Sequence, residues 1–172
     1  MTPLGHLSVS YISGKSIKNI SLSAIIIGGV LPDIDFLFIF FDWFNQYHRV
    51  ITHNLFFIAL AAFIGSFLVS GNQRKIVAIS IFLGGFSHLL IDSCMDTNPT
   101  NGTGIALLWP FYSGFFSPFN ILPASGNSAG WGNPARMVMP VLFSMRYELP
   151  FYLIAGYLFF RKKRLAPYRN TT

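Results

Sequence analysis

The sequence predicts an all-α fold: a polytopic membrane bundle of about four transmembrane helices, with short re-entrant or interfacial helices and a long Gly/Pro-rich non-cytoplasmic loop. Three observations carry that expectation. Of 172 residues, 52% are apolar and only 10% are charged, against roughly 25% charged in a soluble domain, so too little ionic side chain remains to cover an aqueous surface. The apolar residues fall into long runs. The basic residues gather between those runs, at Lys15/Lys18, Arg74/Lys75 and Arg161, Lys162, Lys163 and Arg164, which is the positive-inside pattern.

The elements follow in chain order. Leu4 to Ile12 is too brief to cross and reads as a short surface or re-entrant helix. Ile20 to Phe41 is the first crossing, interrupted at "LPDID". Asn54 to Val69, closed by "SGNQRK", is the second, and Ile76 to Ile91 the third. Both are short beside the ~20 apolar residues that span a bilayer core. Val138 to Phe160 is the fourth and carries Arg146, Glu148 and Pro150. Residues 93–140 are rich in Gly, Pro, Asn and Ser but hold Trp109 and Trp131. A long aromatic-bearing loop of this kind is expected to act as a lid at headgroup depth. Residues 161–172 form a basic cytoplasmic tail, and 1–172 is one domain without internal repeats. The N-terminus lacks a basic n-region before an apolar h-region, so no cleavable signal is expected. The single Cys94 cannot form an intrachain disulfide. A net charge of +6 also suits a nucleic-acid-binding face, but basic clusters set between apolar runs point to the lipid bilayer as partner and exclude nucleic acid.

With the basic clusters on the cytoplasmic side, four crossings alternate without contradiction and the C-terminus is cytoplasmic. At about 1.5 Å per helical residue, Asp33 lies roughly 22 Å from Lys18, while His88 and Glu148 lie about 20 Å from Lys75 and Arg161. His53 opens the second crossing on the same far side. Polar residues from separate segments thus reach one depth, toward the non-cytoplasmic half of the membrane. His6, nine residues from Lys15, fits only if the N-terminal segment folds inward.

Ionisable groups at membrane depth are costly and are kept where they pair, face a cavity or bind something. The chain has four histidines and six acidic residues, and most fall in three short knots, "LPDID", "HRVITH" and "HLLID". His88 and Asp92, four apart, share a helix face. Asp33 and Asp35, two apart, share a side in an extended stretch, which Pro32 favours by disfavouring helix at Leu31. His48 and His53 converge if His48 sits in the turn and His53 in the first turn of the next helix, with Thr52 as N-cap. Asp42 and Asp96 read as inert interfacial residues, and Glu148 with Arg146 reads equally as an edge ion pair or as a functional group. Imidazole with carboxylate suits zinc, manganese or iron rather than calcium, and Arg49 is placed to hold an anionic group such as phosphate.

The ordered set of an early His, "LPDID", "HRVITH", "HLLID" and then "GTGIALLWPF" resembles the bacterial family of LexA-regulated, inner-membrane-bound metal-dependent hydrolases, over roughly residues 1–120. The resemblance implies a multi-helical membrane protein with metal-dependent hydrolase activity. It carries over His6, Asp33, Asp35, His48, Arg49, Thr52, His53, His88 and Asp92, with Gly104, Trp109 and Pro110 after them. The interval "SCMDTNPTN" is longer than the family's usual spacing. The helical His-x-x-x-Asp pair is also similar to that of zinc-dependent phospholipase C enzymes, which tilts the substrate toward phosphoesters.

The sequence therefore points to a membrane-bound hydrolase of a lipid or lipid-linked phosphoester, working through a metal-activated water. His6, His53, His88, Asp92 and one or both of Asp33 and Asp35 are its expected metal ligands. Zinc is favoured over manganese or iron. Arg49 grips the anion, and His48 or Glu148 carries the proton. The competing reading is a transporter or sensor that uses the same cluster for ion binding. It requires a polar path to the cytoplasmic face, and Ile76 to Gly85 and Leu153 to Phe160 are almost wholly apolar.

Overall fold

Thr2 starts the first helix. Its hydroxyl accepts the Gly5 N–H at 3.2 Å, Pro3 sits at the position where a missing N–H costs nothing, and α1 runs Pro3–Ser16. Ser21 caps α2, Leu22–Val30, by accepting the Ala24 N–H. At Pro32 the α-helical ladder stops, because proline lacks the donor and disfavours helix before it, and a 3₁₀ helix continues over Leu31–Phe38. A single turn, α3, covers Phe44–Tyr47. Asn54, not Thr52, caps α4, Leu55–Phe67, accepting the Phe57 N–H at 2.7 Å. The long central helix α5 spans Gln73–Met95. A two-residue antiparallel ladder pairs β1, Thr97–Asn98, with β2, Gly102–Thr103, and α6 runs Pro134–Leu165.

This computed structural model describes residues 1–41, 43–95, 97–98, 102–119 and 134–165. Asp42, Asp96, the loop part 120–133 with Trp131, and the tail beyond 165 lie outside the described residues, so the expectations placed on them are not addressed.

The all-helical expectation holds, with the two-residue ladder and an isolated antiparallel bridge between Ile105 and Phe116 as small additions. The four-crossing expectation is not supported. Among the described residues one helix, over Gln73–Cys94 of α5, is long and apolar enough to cross a membrane. The first expected crossing is split by Pro32 into a nine-residue helix and the 3₁₀ segment. The second is a 13-residue helix, about 20 Å long where a hydrocarbon core measures ~30 Å. The expected loop 93–140 is shorter than its bounds, since α5 continues to Met95 and α6 begins at Pro134. Asp33 and Asp35 sit in 3₁₀ rather than extended geometry.

Helices α2 and α4 pack along α5, and α1 packs against α2 and α6. The α2–α5 crossing is close because both helices present glycine there. A Cβ on Gly28 would overlap the Ile81 carbonyl oxygen, and one on Gly84 would overlap that of Ile25. Two small apolar clusters fill the interior, Ala24/Ala62/Ile81 and Ile58/Leu89/Ile105. Ile105 belongs to a segment after β2 that docks on the turn before α4, the Ala106 N–H donating to the Arg49 carbonyl and the Leu55 N–H to the Leu107 carbonyl, both at 3.0 Å. The polarity is inverted relative to a water-soluble protein. Leu37, Phe40, Phe63, Leu68 and Leu153 are well exposed, whereas His6, Asp33, His53, His88, Asp92 and Glu148 are buried.

The crossing yields a test. Gly84→Ala forces α5 off α2, and overpacking of this kind costs about 1–3 kcal/mol. Thermal unfolding in detergent is expected to show that loss for Gly84→Ala and none for Gly156→Ala, since no atom lies within 4 Å of a Cβ at Gly156.

Candidate metal centre

The close α2–α5 crossing places His88, one turn beyond Gly84, against the end of α2. Its Nδ1 lies 2.8 Å from the Gly29 carbonyl oxygen. A carbonyl can only accept, so Nδ1 carries the proton and the neutral ring presents a lone pair at Nε2. Asp92, one turn further along the same face, brings Oδ2 to 3.3 Å from that Nε2.

His53 arrives from the turn before α4, which Asn54 ties down. Fully buried, Asn54 donates to the Val50 and Ile51 carbonyls at 2.7 and 2.8 Å while it caps the helix. The tautomer of His53 is set by its neighbour. Thr52 Oγ1 donates its single proton to Asp35 Oδ2 at 3.0 Å, the charged acceptor being the stronger one. At 3.0 Å from His53 Nδ1 the same oxygen must then accept. Nδ1 of His53 is therefore protonated, and its Nε2 also presents a lone pair.

The two Nε2 atoms face each other at 3.2 Å. Asp33 Oδ1, from the 3₁₀ helix, stands 3.6 Å from His53 Nε2 and 3.7 Å from His88 Nε2. Asp92 Oδ2 stands 3.6 Å from His53 Nε2. Four donor atoms from three separate elements thus converge, and with both rings neutral they repel one another unless a cation sits among them. The dimensions fit one. Bond lengths of 2.0–2.2 Å to nitrogen and oxygen in a tetrahedron imply donor–donor edges of roughly 3.3–3.6 Å; the triangle of Asp33 Oδ1 with the two Nε2 atoms has edges of 3.2, 3.6 and 3.7 Å, and that of Asp92 Oδ2 with the same pair 3.2, 3.3 and 3.6 Å, each the size of one face.

The remaining predicted residues surround these four atoms. His6 lies against the other oxygen of Asp92, Nε2 to Oδ1 at 3.0 Å, and its ring stacks on His88 with centroids 3.5 Å apart. The Met1 ammonium donates to the same Oδ1 at 2.7 Å. Asp35 falls on the Nδ1 side of His53, 3.9 Å away. Its Oδ2 accepts from His48 Nδ1 at 2.9 Å as well as from Thr52. Asp33 and Asp35 therefore address opposite nitrogens of one imidazole, a result of 3₁₀ geometry that an extended stretch would not give. Arg49 is buried and holds a left-handed backbone, φ 69°, beside His48. For a residue with a Cβ this conformation costs about 1–3 kcal/mol and collects at functional sites. Glu148 is engaged elsewhere. Its carboxylate accepts the Thr2 N–H and hydroxyl, each at 2.6 Å, together with the Tyr152 hydroxyl, so it clamps the start of α1 to α6. Arg146 donates to the Tyr147 hydroxyl.

Three triads of this cluster could hold an ion: His6/His88/Asp92, Asp33/His53/His88 and Asp35/His48/His53. The middle one, completed by Asp92 Oδ2, is the set whose lone pairs are left unshared. In the third, Asp35 Oδ2 and His53 Nδ1 are already bound to hydrogen-bond partners. Sequence reasoning did not find Tyr152, Thr2 or the Gly29 carbonyl. Tyr152 does stand four residues after Glu148, at helix-face spacing, and Asn54 directly before an apolar run is a helix-start signal.

The chain matches the family described as YdjM inner membrane protein over residues 1–162. It belongs to that family and is an inner membrane protein. No curated protein and no solved structure matches it.

Removing an outer partner of a metal-bound imidazole lowers metal affinity by about 10–100-fold. Thr52→Val is expected to weaken zinc binding by that factor in a competition titration with a chromophoric chelator. Thr52→Ser, which keeps the hydroxyl, is expected to retain wild-type affinity. Equal affinity in all three proteins would remove Thr52 from the centre.

Proposed function

We propose that this inner membrane protein is a metal-dependent hydrolase acting on a phosphoester of a lipid or lipid-linked substrate. The single observation that supports the reading is the convergence of Asp33 Oδ1 and Asp92 Oδ2 on the facing Nε2 atoms of His53 and His88. Two nitrogens and two oxygens suit zinc, with manganese or iron as further candidates. Such an ion supplies Lewis-acid polarisation and activation of a water when bound.

The surrounding residues have roles in that reading. His6 and the Met1 ammonium hold Asp92 by its outer oxygen. Asp35, through Thr52, holds His53 with Nε2 turned inward. His48, hydrogen-bonded to Asp35, is the proton carrier. Arg49 is the cationic group for the substrate's phosphate. Glu148 positions α1, and with it His6, rather than exchanging protons with substrate. The orientation proposed from sequence is kept for α5. With Arg74 and Lys75 at the cytoplasmic surface, His88 lies about 20 Å deeper, toward the non-cytoplasmic side.

One observation favours a second reading. Four protein donors meet at one place, and four protein ligands are the mark of a structural zinc site, whereas a catalytic zinc keeps one position open. The two readings separate in one experiment. Elemental analysis of detergent-purified protein is expected to give about one zinc per chain, lost in the Asp33→Ala/His88→Ala double variant. Phosphate or headgroup release from phospholipid vesicles is expected to require that metal and to stop with a chelator. Metal bound without release would establish the structural reading, and wild-type protein no richer in metal than the double variant would end both.

A further inference from the structure

Beside the metal centre, between the 3₁₀ helix and α3, lies a cavity of about 150 Å³. Ile34, Phe38, Trp43 and Tyr47 line it, and each is about half exposed at the mouth. Asp35 and His48 line it as well. A volume of this size holds about one six-carbon ring, which suits the end of a hydrocarbon chain. The aromatic mouth has the composition found where membrane proteins meet the bilayer interface.

Asp35 decides what the head of that chain must be. Its Oδ2 accepts from His48 and Thr52, while its Oδ1 is buried without a hydrogen-bond partner among the described residues. A buried acceptor left unsatisfied is destabilising by roughly 1–3 kcal/mol, more when charged, and apolar walls offer nothing to relieve it. An anionic head would be repelled by the carboxylate. A hydroxyl brings the missing donor at no charge cost.

We propose that this cavity binds the hydrocarbon chain of a long-chain alcohol, or the alcohol part of a lipid, with the hydroxyl donating to Asp35 Oδ1. The ligand preference stands on the cavity and Asp35 alone. Its further meaning rests on the hydrolase reading. Hydrolysis of a lipid phosphoester places the phosphate on one product and a hydroxyl on the other, and the cavity is then the subsite for the alcohol side. The phosphate side falls to Arg49, flanking His48.

Trp43 reports on the cavity directly. In the full chain with Trp109→Phe and Trp131→Phe it is the sole tryptophan, and a brominated chain quenches it on contact. In lipid nanodiscs, a terminally brominated undecanol is expected to quench saturably, with an affinity at least tenfold tighter than the corresponding carboxylic acid. Asp35→Asn is expected to reduce that preference to less than threefold. Unsaturable quenching that is equal for alcohol, acid and unsubstituted bromoalkane would mean partition into lipid and would overturn the proposal, as would tighter binding of the acid. Should the tryptophan replacements fail to fold, a diazirine-bearing alkyl alcohol applied to wild-type protein is expected to label the peptide holding Ile34, Phe38, Trp43 and Tyr47, with labelling reduced by excess undecanol. Labelling elsewhere only would overturn it. Zinc content measured on the same samples separates the two claims. Alcohol preference without bound zinc sinks the hydrolase reading and keeps the cavity, and bound zinc without alcohol preference does the reverse.

Discussion

Two imidazole lone pairs held 3.2 Å apart are the constraint around which this fold is arranged. Neither ring can relieve the contact by changing tautomer. The Gly29 carbonyl holds the proton of His88 on Nδ1, and Thr52, already donating to Asp35, holds that of His53 on Nδ1. Two carboxylate oxygens then close in on the same point. A buried group of this kind is costly, and a cation at its centre would offset that cost. The helix ends, the 3₁₀ break and the α2–α5 glycine contact all serve to bring these four atoms to one place.

The inverted polarity of the molecule follows from the same demand. A chain with six acidic residues and four histidines buries most of them in a single hydrogen-bonded cluster and leaves phenylalanine and leucine outside. In water such a surface would aggregate. In lipid it is the solvent-compatible one, and the cluster is sheltered within it.

Much of this was legible in the sequence because the relevant signals are local. The knots "LPDID", "HRVITH" and "HLLID" named the residues that meet, and the four-residue spacing of His88 and Asp92 fixed their common face. Depth counted along helices brought Asp33, His53 and His88 together, although the four crossings behind that count are not supported by the helix lengths. What was not legible is what depends on contacts between elements. Which nitrogen of His53 faces Asp33 depends on Thr52 meeting Asp35, seventeen residues away. That Glu148 reaches Thr2 rather than the His/Asp cluster depends on how α6 lies against α1. Pro32 signalled a break without telling 3₁₀ from extended geometry, and that difference sends Asp33 and Asp35 to opposite edges of one ring.

The Glu148 clamp has a mechanical consequence. Few contacts join α1 to α5, so His6 is held on Asp92 and His88 chiefly by its own stack and hydrogen bond. The N-terminal end of α1, by contrast, is fastened to α6 by two hydrogen bonds from Thr2 to a buried carboxylate, which Tyr152 of the same helix also holds. Through Thr2 and Glu148 the position of α1, and with it the His6 ring, is therefore tied to α6, an element that contributes no donor to the centre itself.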